Sequence, residues 1–308
     1  MNRVRRISAL ACGCLTLVVA PVAMPALRST PVKYVPAVTV DDSTGSPLQV
    51  VLGSSGNLRA LIGTPAALAQ SPVLQPLLSE VPLDAPGVHP LALPAPDGDP
   101  LVVVTLQSFA SMQGTRLDGY RVGRWPTRGL AARDPRYAPP AGFIPVTPEN
   151  ESTPVSKRFR LADFLTHDQQ DVWPKVLVLR VTVLDKLELI CDDLERRGLP
   201  GRLHIMSGFR TPQYNAQGVG PKGGRAGDSR HMYGDAADVM VDGDGDGVMD
   251  DLDGDGKVTI RDAQVLLAVA ESVEVQHPDL VGGLSAYPAN STHGPFVHVD
   301  ARGVRARW

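Results

Sequence analysis

Two histidines and an aspartate stand where metal chemistry would need them. His231 precedes Asp238 by seven residues, and His298 lies in the short apolar run FVHVD. A hydrolytic zinc takes three protein ligands and keeps one position open for water; neutral imidazole and carboxylate both serve. Asp238 stands near the start of another apolar run, ADVMV, where an unpaired carboxylate is costly to bury. A cation would remove that cost. Side-chain alternation along a strand puts Phe296, His298 and Asp300 on one face and Val297 and Val299 on the other. Taken singly, each piece has a plainer reading. A strand histidine is often a hydrogen-bonded core residue, and one His–Asp spacing recurs by chance.

A second constellation follows four residues after Asp238. The twelve-residue EF-hand loop places oxygen ligands at positions 1, 3, 5, 7, 9 and 12, with glycine at 6. DLDGDGKVTIRD fits from Asp251: Asp251, Asp253 and Asp255 fill the first three places, Gly256 makes the bend, Lys257 offers its carbonyl, and Asp262 closes the loop. An earlier frame also fits, with Asp242, Asp244, Asp246, Asp250 and again Asp253. The pattern resembles dockerin-type calcium loops, and the overlapping frames resemble the tandem loops of the thrombospondin type. One or two Ca2+ ions are expected, in a structural role. The plainer alternative is a solvated acidic loop without metal. Residues 242–262 hold eight aspartates against Lys257 and Arg261, a local charge of −6, so repulsion opposes an ordered loop that lacks a cation.

Three ordered motifs resemble a family. SGFR (Ser207–Arg210), SRHMYGDAAD (Ser229–Asp238) and FVHVDARGVRARW are similar to the zinc D-Ala-D-Ala carboxypeptidases and peptidoglycan endopeptidases, whose fold is shared by lysostaphin-like enzymes and the hedgehog signalling domain. The resemblance spans roughly residues 159–308 and is nearest to the periplasmic branch. It implies Zn2+ held by His231, Asp238 and His298, with Arg210 polarising the scissile carbonyl. Many relatives carry an acidic general base three residues before the last histidine, where this chain has Pro295; others have a second histidine where it has Phe296. The base is therefore not carried over. Asp300 is the first candidate, and the alternative for it is to orient His298; His293 is the second candidate and Asp235 the third. If Asp300 is the base, Asp300→Asn abolishes turnover and leaves zinc in place.

These side chains need elements to carry them. The chain has 308 residues, 43% hydrophobic and 20% charged, enough for a sizeable core and two domains. The fold class expected is α+β: a zinc-peptidase domain with a small antiparallel sheet and flanking helices, preceded by a β-rich accessory domain. Residues 1–29 read as a signal peptide or N-terminal anchor, since Arg3, Arg5 and Arg6 precede an apolar run. Residues 30–126 carry strands such as LQVVLG and LVVVTLQSF between turn clusters, with cell-wall glycan as a possible ligand. Residues 127–156, rich in Pro, Arg and Gly, read as a linker. Residues 157–308 form the metallopeptidase-like domain, with the calcium insert at 242–262. There, Val181, Leu184, Leu187, Ile190, Cys191 and Leu194 recur at helical spacing, and IRDAQVLLAVAESVEV reads as a second helix. RLHIMSG, ADVMV and PFVHVD read as strands. Cys191 alone follows the N-terminal segment and reads as a core residue.

The net charge of −3 gives no sign of nucleic-acid binding. The expected location is the periplasm or the extracellular space, with membrane attachment only through the N-terminal segment. The expected partner is a peptidoglycan peptide. The alternative function is an inactive zinc- and calcium-bearing module that binds or docks at the cell wall.

Overall fold

Asp238 and His298 are carried by a five-stranded sheet with two unlike faces. The structure is a computed structural model that describes residues 38–41, 47–52, 58–63, 81, 85–94, 100–220 and 223–308. The segment expected to be a signal or anchor lies outside the described residues; among them, no helix is long and apolar enough to cross a membrane.

The first sheet is made by β1 (Val38–Asp41), β2 (Pro47–Leu52), β3 (Leu58–Gly63), β4 (Gly87–Pro94) and β5 (Pro100–Thr105), in the order β1-β2-β3-β5-β4. The β3–β5 pair is parallel and the others are antiparallel. A small antiparallel sheet follows, β10-β9-β6, from β6 (Gln107–Ser108), β9 (Gly142–Val146) and β10 (Lys175–Leu177). A hairpin, β7 (Arg116–Leu117) and β8 (Tyr120–Arg121), lies between β6 and β9 in the chain.

The segment 127–156 is not a free linker. It contains β9, which is hydrogen-bonded on both sides, and it buries Tyr137, Phe143, Ile144 and Val146. Its prolines and glycines mark turns around a buried strand rather than a spacer. One apolar core runs from Val102 and Val104 through this segment to Val297 and Val299.

Helix α1 (Val181–Arg196) buries every residue of the predicted stripe, Cys191 included, and stops at Gly198, whose φ of +77° breaks the helical path. Truncating one of its buried leucines to Ala is expected to cost about 2–5 kcal/mol. The short helix α2 (Pro212–Ala216) is capped by Thr211. Helix α3 (Ile260–Gln276) starts at a capping box formed by Thr259 and Asp262.

The sheet that matters for the site contains β11 (Leu203–Ser207), β12 (Ala236–Val241), β13 (Gly283–Tyr287), β14 (Phe296–Asp300) and β15 (Ala306–Arg307), in the order β11-β12-β14-β13-β15. Its pairs are antiparallel except β13–β15. Register sets Asp238 opposite His298 and Ser285 on the far side of His298. Ala237, Val239, Leu284, Val297 and Val299 join Leu266, Val269, Ala270 and Val273 of α3 in the core. The opposite face is left to Asp238, His298, Asp300, Tyr287 and Phe296. A buried Lys186 ties the layers: its Nζ donates to Glu274 of α3 (2.6 Å) and to the carbonyl of Asp300 (2.6 Å). The class is α+β, as expected.

Candidate metal centre

Three segments each bring one candidate ligand atom to a common point. His231 sits on a single 3-10 turn, Arg230–Tyr233, closed by Gly234. Gly234 has φ +72°, and a Cβ there would overlap the Val178 carbonyl, so this close approach requires glycine. Asp238 and His298 face each other across β12 and β14. His231 Nε2 lies 3.2 Å from Asp238 Oδ1 and 3.2 Å from His298 Nδ1, and His298 Nδ1 lies 3.0 Å from Asp238 Oδ1. A tetrahedral ion with bonds of about 2.0–2.1 Å separates its ligand atoms by about 3.3 Å. The triangle matches that to within a few tenths of an ångström. All three residues are buried, and together they could hold a metal ion.

The outer nitrogens decide what the inner ones present. His231 Nδ1 donates to the Gly208 carbonyl (2.7 Å), and His298 Nε2 donates to Asp300 Oδ2 (3.1 Å). With those protons outside, the neutral rings turn lone pairs inward, toward each other and toward a carboxylate oxygen. A cation at the centre relieves that repulsion.

The charges follow. Burial pushes the pKa of His231 down, against the pull of Asp238. Burial also opposes charge on His298, but hydrogen bonds to Asp238 and Asp300 outweigh it and hold its pKa above the ordinary imidazole value. Asp238 is held well below the usual carboxylate range: burial would raise it, and His231, His298 and Arg210 together prevail. In the metal-free chain one proton on His298 can therefore bridge to Asp238. Metal must displace it. Below the raised pKa of His298, metal affinity is expected to climb about tenfold per pH unit and one proton to be released per ion; above it both effects vanish. Calorimetry in buffers of different ionisation heat measures the proton count, and zero release across that range would contradict this assignment.

The Ser-Gly-Phe-Arg motif surrounds the centre. Gly208 supplies the carbonyl for His231, and Phe209 is core. Arg210 Nη2 pairs with the second oxygen of Asp238, and its Nε donates to Ser207 Oγ (2.8 Å). Arg210 is thus fixed beside the centre and holds the Asp238 carboxylate in its rotation.

The three candidate bases have other partners. Asp300 is fully buried and sits on the side of His298 away from the ligand triangle. Its oxygens accept from His298, Arg302 and the Gly283 N–H (2.7 Å). Its pKa is driven far down: burial raises it, and His298 and Arg302 more than reverse that. This is the place of an orienting carboxylate, the alternative to a base. Asp300→Asn is accordingly expected to weaken metal affinity roughly 10–100-fold, read by competition with a chelating dye; full affinity with no turnover would restore the base. His293 donates from Nδ1 to Gly294 (2.7 Å), so Nε2 accepts from Asn290 (2.7 Å). Asp235 is buried in a bidentate pair with Arg230.

The acidic insert divides into two trios, Asp242–Asp244–Asp246 and Asp251–Asp253–Asp255, each of which could hold a cation. They repeat one hydrogen-bond pattern. The first aspartate accepts from the fourth and sixth residues (Gly245 and Gly247; Gly254 and Gly256), the third accepts from the fifth, and the fifth from the seventh. Lys257 gives its N–H to Asp255 in this pattern. The remaining predicted ligands are placed differently. Asp253 belongs to the second trio and does not join the first. Asp250 accepts from Gly243 N, and buried Asp262 accepts from Leu252, Asp253 and Thr259 N–H groups. Helix capping claims the twelfth position because Asp262 is also the third residue of α3.

Sequence reasoning missed Arg302, which clamps Asp300, and the Gly283 beside it. A Cβ on Gly283 would overlap Asp300 and stand 3.0 Å from the Trp308 ring. The paired glycines Gly282–Gly283 were the available signal. Comparison with protein-family models, with curated proteins and with solved structures found no match.

Proposed function

We propose that this chain is an exported zinc peptidase that hydrolyses amide bonds in peptidoglycan stem peptides or cross-links. The observation that carries the proposal is the triangle of inward-facing atoms from His231, Asp238 and His298, with both outer imidazole nitrogens already engaged. The buried two-imidazole, one-carboxylate donor set fits zinc. Zinc, when bound, supplies the Lewis acidity that makes water nucleophilic near neutral pH. Asp300 fixes the ring of His298, and Gly208 fixes that of His231. Arg210, anchored through Nε and Nη2, keeps its Nη1 N–H groups for a substrate carbonyl, where a fixed cation stabilises developing negative charge. The two aspartate trios hold Ca2+ in a structural role. The motif resemblance supplies the substrate class and the periplasmic or extracellular location.

A second reading is a zinc-bearing module that binds cell-wall peptide without cutting it. It is favoured by the partners of Asp300, His293 and Asp235, each engaged away from the ligand triangle. Incubation with purified muropeptides, with and without zinc, separates the two by product mass. Zinc-dependent products one water heavier in sum establish the peptidase. Binding without products from the fully loaded chain establishes the module.

A further inference from the structure

A row of aromatic rings leads away from the metal ligands on the same face of the sheet. Trp308 lies with its ring centroid 5.3 Å from that of His298. Its indole N–H donates to Tyr287 Oη; Tyr287 stacks on Phe296 at 4.7 Å with ring planes 10° apart; His293 meets Phe296 edge-on at 4.9 Å. Trp308 keeps 57% of its surface exposed, yet it is held at three points. Besides the indole bond, its main-chain oxygen accepts from Ser285 Oγ (2.5 Å), and the Arg302 guanidinium stands 5.6 Å from its ring. A large ring left in water loses the free energy of burial, about 25 cal/mol per Å2. Fixing such a ring without covering it preorganises a contact surface.

We infer that this row is a saccharide subsite that seats the sugar-bearing part of the substrate beside the metal centre. The inference rests on the peptidase reading for what happens at the metal, but not for the binding itself. The chemistry of the row selects the occupant. Arg302 is paired with Asp300, and both ring nitrogens of His293 are engaged in hydrogen bonds, so neither side chain is left free to pair with an ionic ligand. That disfavours an ionic ligand and suits the C–H face of a neutral ring. Hydroxyl partners stand at the rim. Tyr287 Oη accepts from Trp308 and so has its own proton to donate, and exposed Asn290 and Thr292 lie in the loop that carries His293. Flat rings with hydroxyl and amide groups at the edge fit an N-acetylated sugar: its C–H face stacks and its substituents reach the rim.

The probe is a soluble tetrasaccharide of N-acetylglucosamine, added to the full zinc-loaded chain and followed by tryptophan fluorescence and calorimetry. Binding is expected, with Trp308→Ala weakening it roughly tenfold or more, the usual cost of truncating a central tryptophan. Tyr287→Phe, which keeps every ring but frees the indole, is expected to weaken it several-fold; it decides the matter if Trp308→Ala loses metal or fold. No binding by the wild-type chain, or equal binding by both variants, overturns the subsite. Hydrolysis gives an independent arm. A chain that cuts sugar-free stem peptides as well as muropeptides and ignores the tetrasaccharide keeps the peptidase and loses the subsite. A chain that binds the sugar through Trp308 and cuts neither keeps the subsite and loses the peptidase.

Discussion

Replacing Asp238 by Ala should lower zinc content from about one ion per chain to nearly none and destabilise the fold at the same time. The two losses have separate causes. The ion loses its carboxylate ligand, and two buried imidazoles alone make a weak site. Arg210, largely buried against Asp238, loses its counter-charge. Breaking a buried pair from one side costs about 3–5 kcal/mol, because the remaining charge stays in a poorly solvated place. For a unit of this size that lowers the melting temperature by on the order of 10 °C. Asp238→Asn separates the causes. It keeps an oxygen for Arg210 and the shape of the site, so the stability loss should shrink while zinc content still falls. Elemental analysis beside thermal melts reads both quantities. Stoichiometric zinc in Asp238→Ala would remove the metal centre from consideration.

Withdrawing calcium is expected to have the next largest effect. Each trio brings three carboxylates within reach of one ion, and their like charges repel without it. An ion that binds only the folded chain stabilises it by about 2.7 kcal/mol at a hundredfold excess over its Kd. Two independent trios would give about twice that. The first trio begins directly after β12, the strand that carries Asp238, and Asp242 N donates to the Arg202 carbonyl at 3.1 Å. Loosening it should fray the strand that carries Asp238. EGTA should therefore lower both the melting temperature and the muropeptide activity, and calcium alone should restore them. A melting temperature indifferent to calcium would leave the insert as a solvated acidic loop. Asp262→Ala gives a contrast: it leaves the Leu252, Asp253 and Thr259 N–H groups without their acceptor and should cost on the order of 1–3 kcal/mol, while calcium binding to both trios persists.

Much of the centre is legible in the sequence because it depends on local periods. Strand alternation alone separates His298 from Val297 and Val299, and the structure buries the valines on α3. The apolar stripe of α1 and the start of α3 follow from helical spacing in the same way. Where local signals are short, the reading fails. The strand β9 is five residues long, interrupted by Pro145 and set among turn residues, so it passes for part of a linker until β6 and β10 pair with it. The strand β13 begins with a glycine and has too few apolar residues to announce itself; its identity comes from β14 and β15 on either side.

By itself the sequence determined which side chains are available and which face of each strand they occupy, since both follow from residue type and a fixed backbone period. Only the tertiary structure decided what those side chains do. Whether Asp300 faces the ligand triangle or backs His298 depends on which groups hold its carboxylate, and the Gly283 N–H and the Arg302 guanidinium hold it behind His298. Whether Asp262 binds a cation or caps a helix depends on which N–H groups the folded loop brings to it first. Distances of about 3 Å between atoms 67 residues apart are fixed by strand register and core packing, and no local pattern in the chain encodes them.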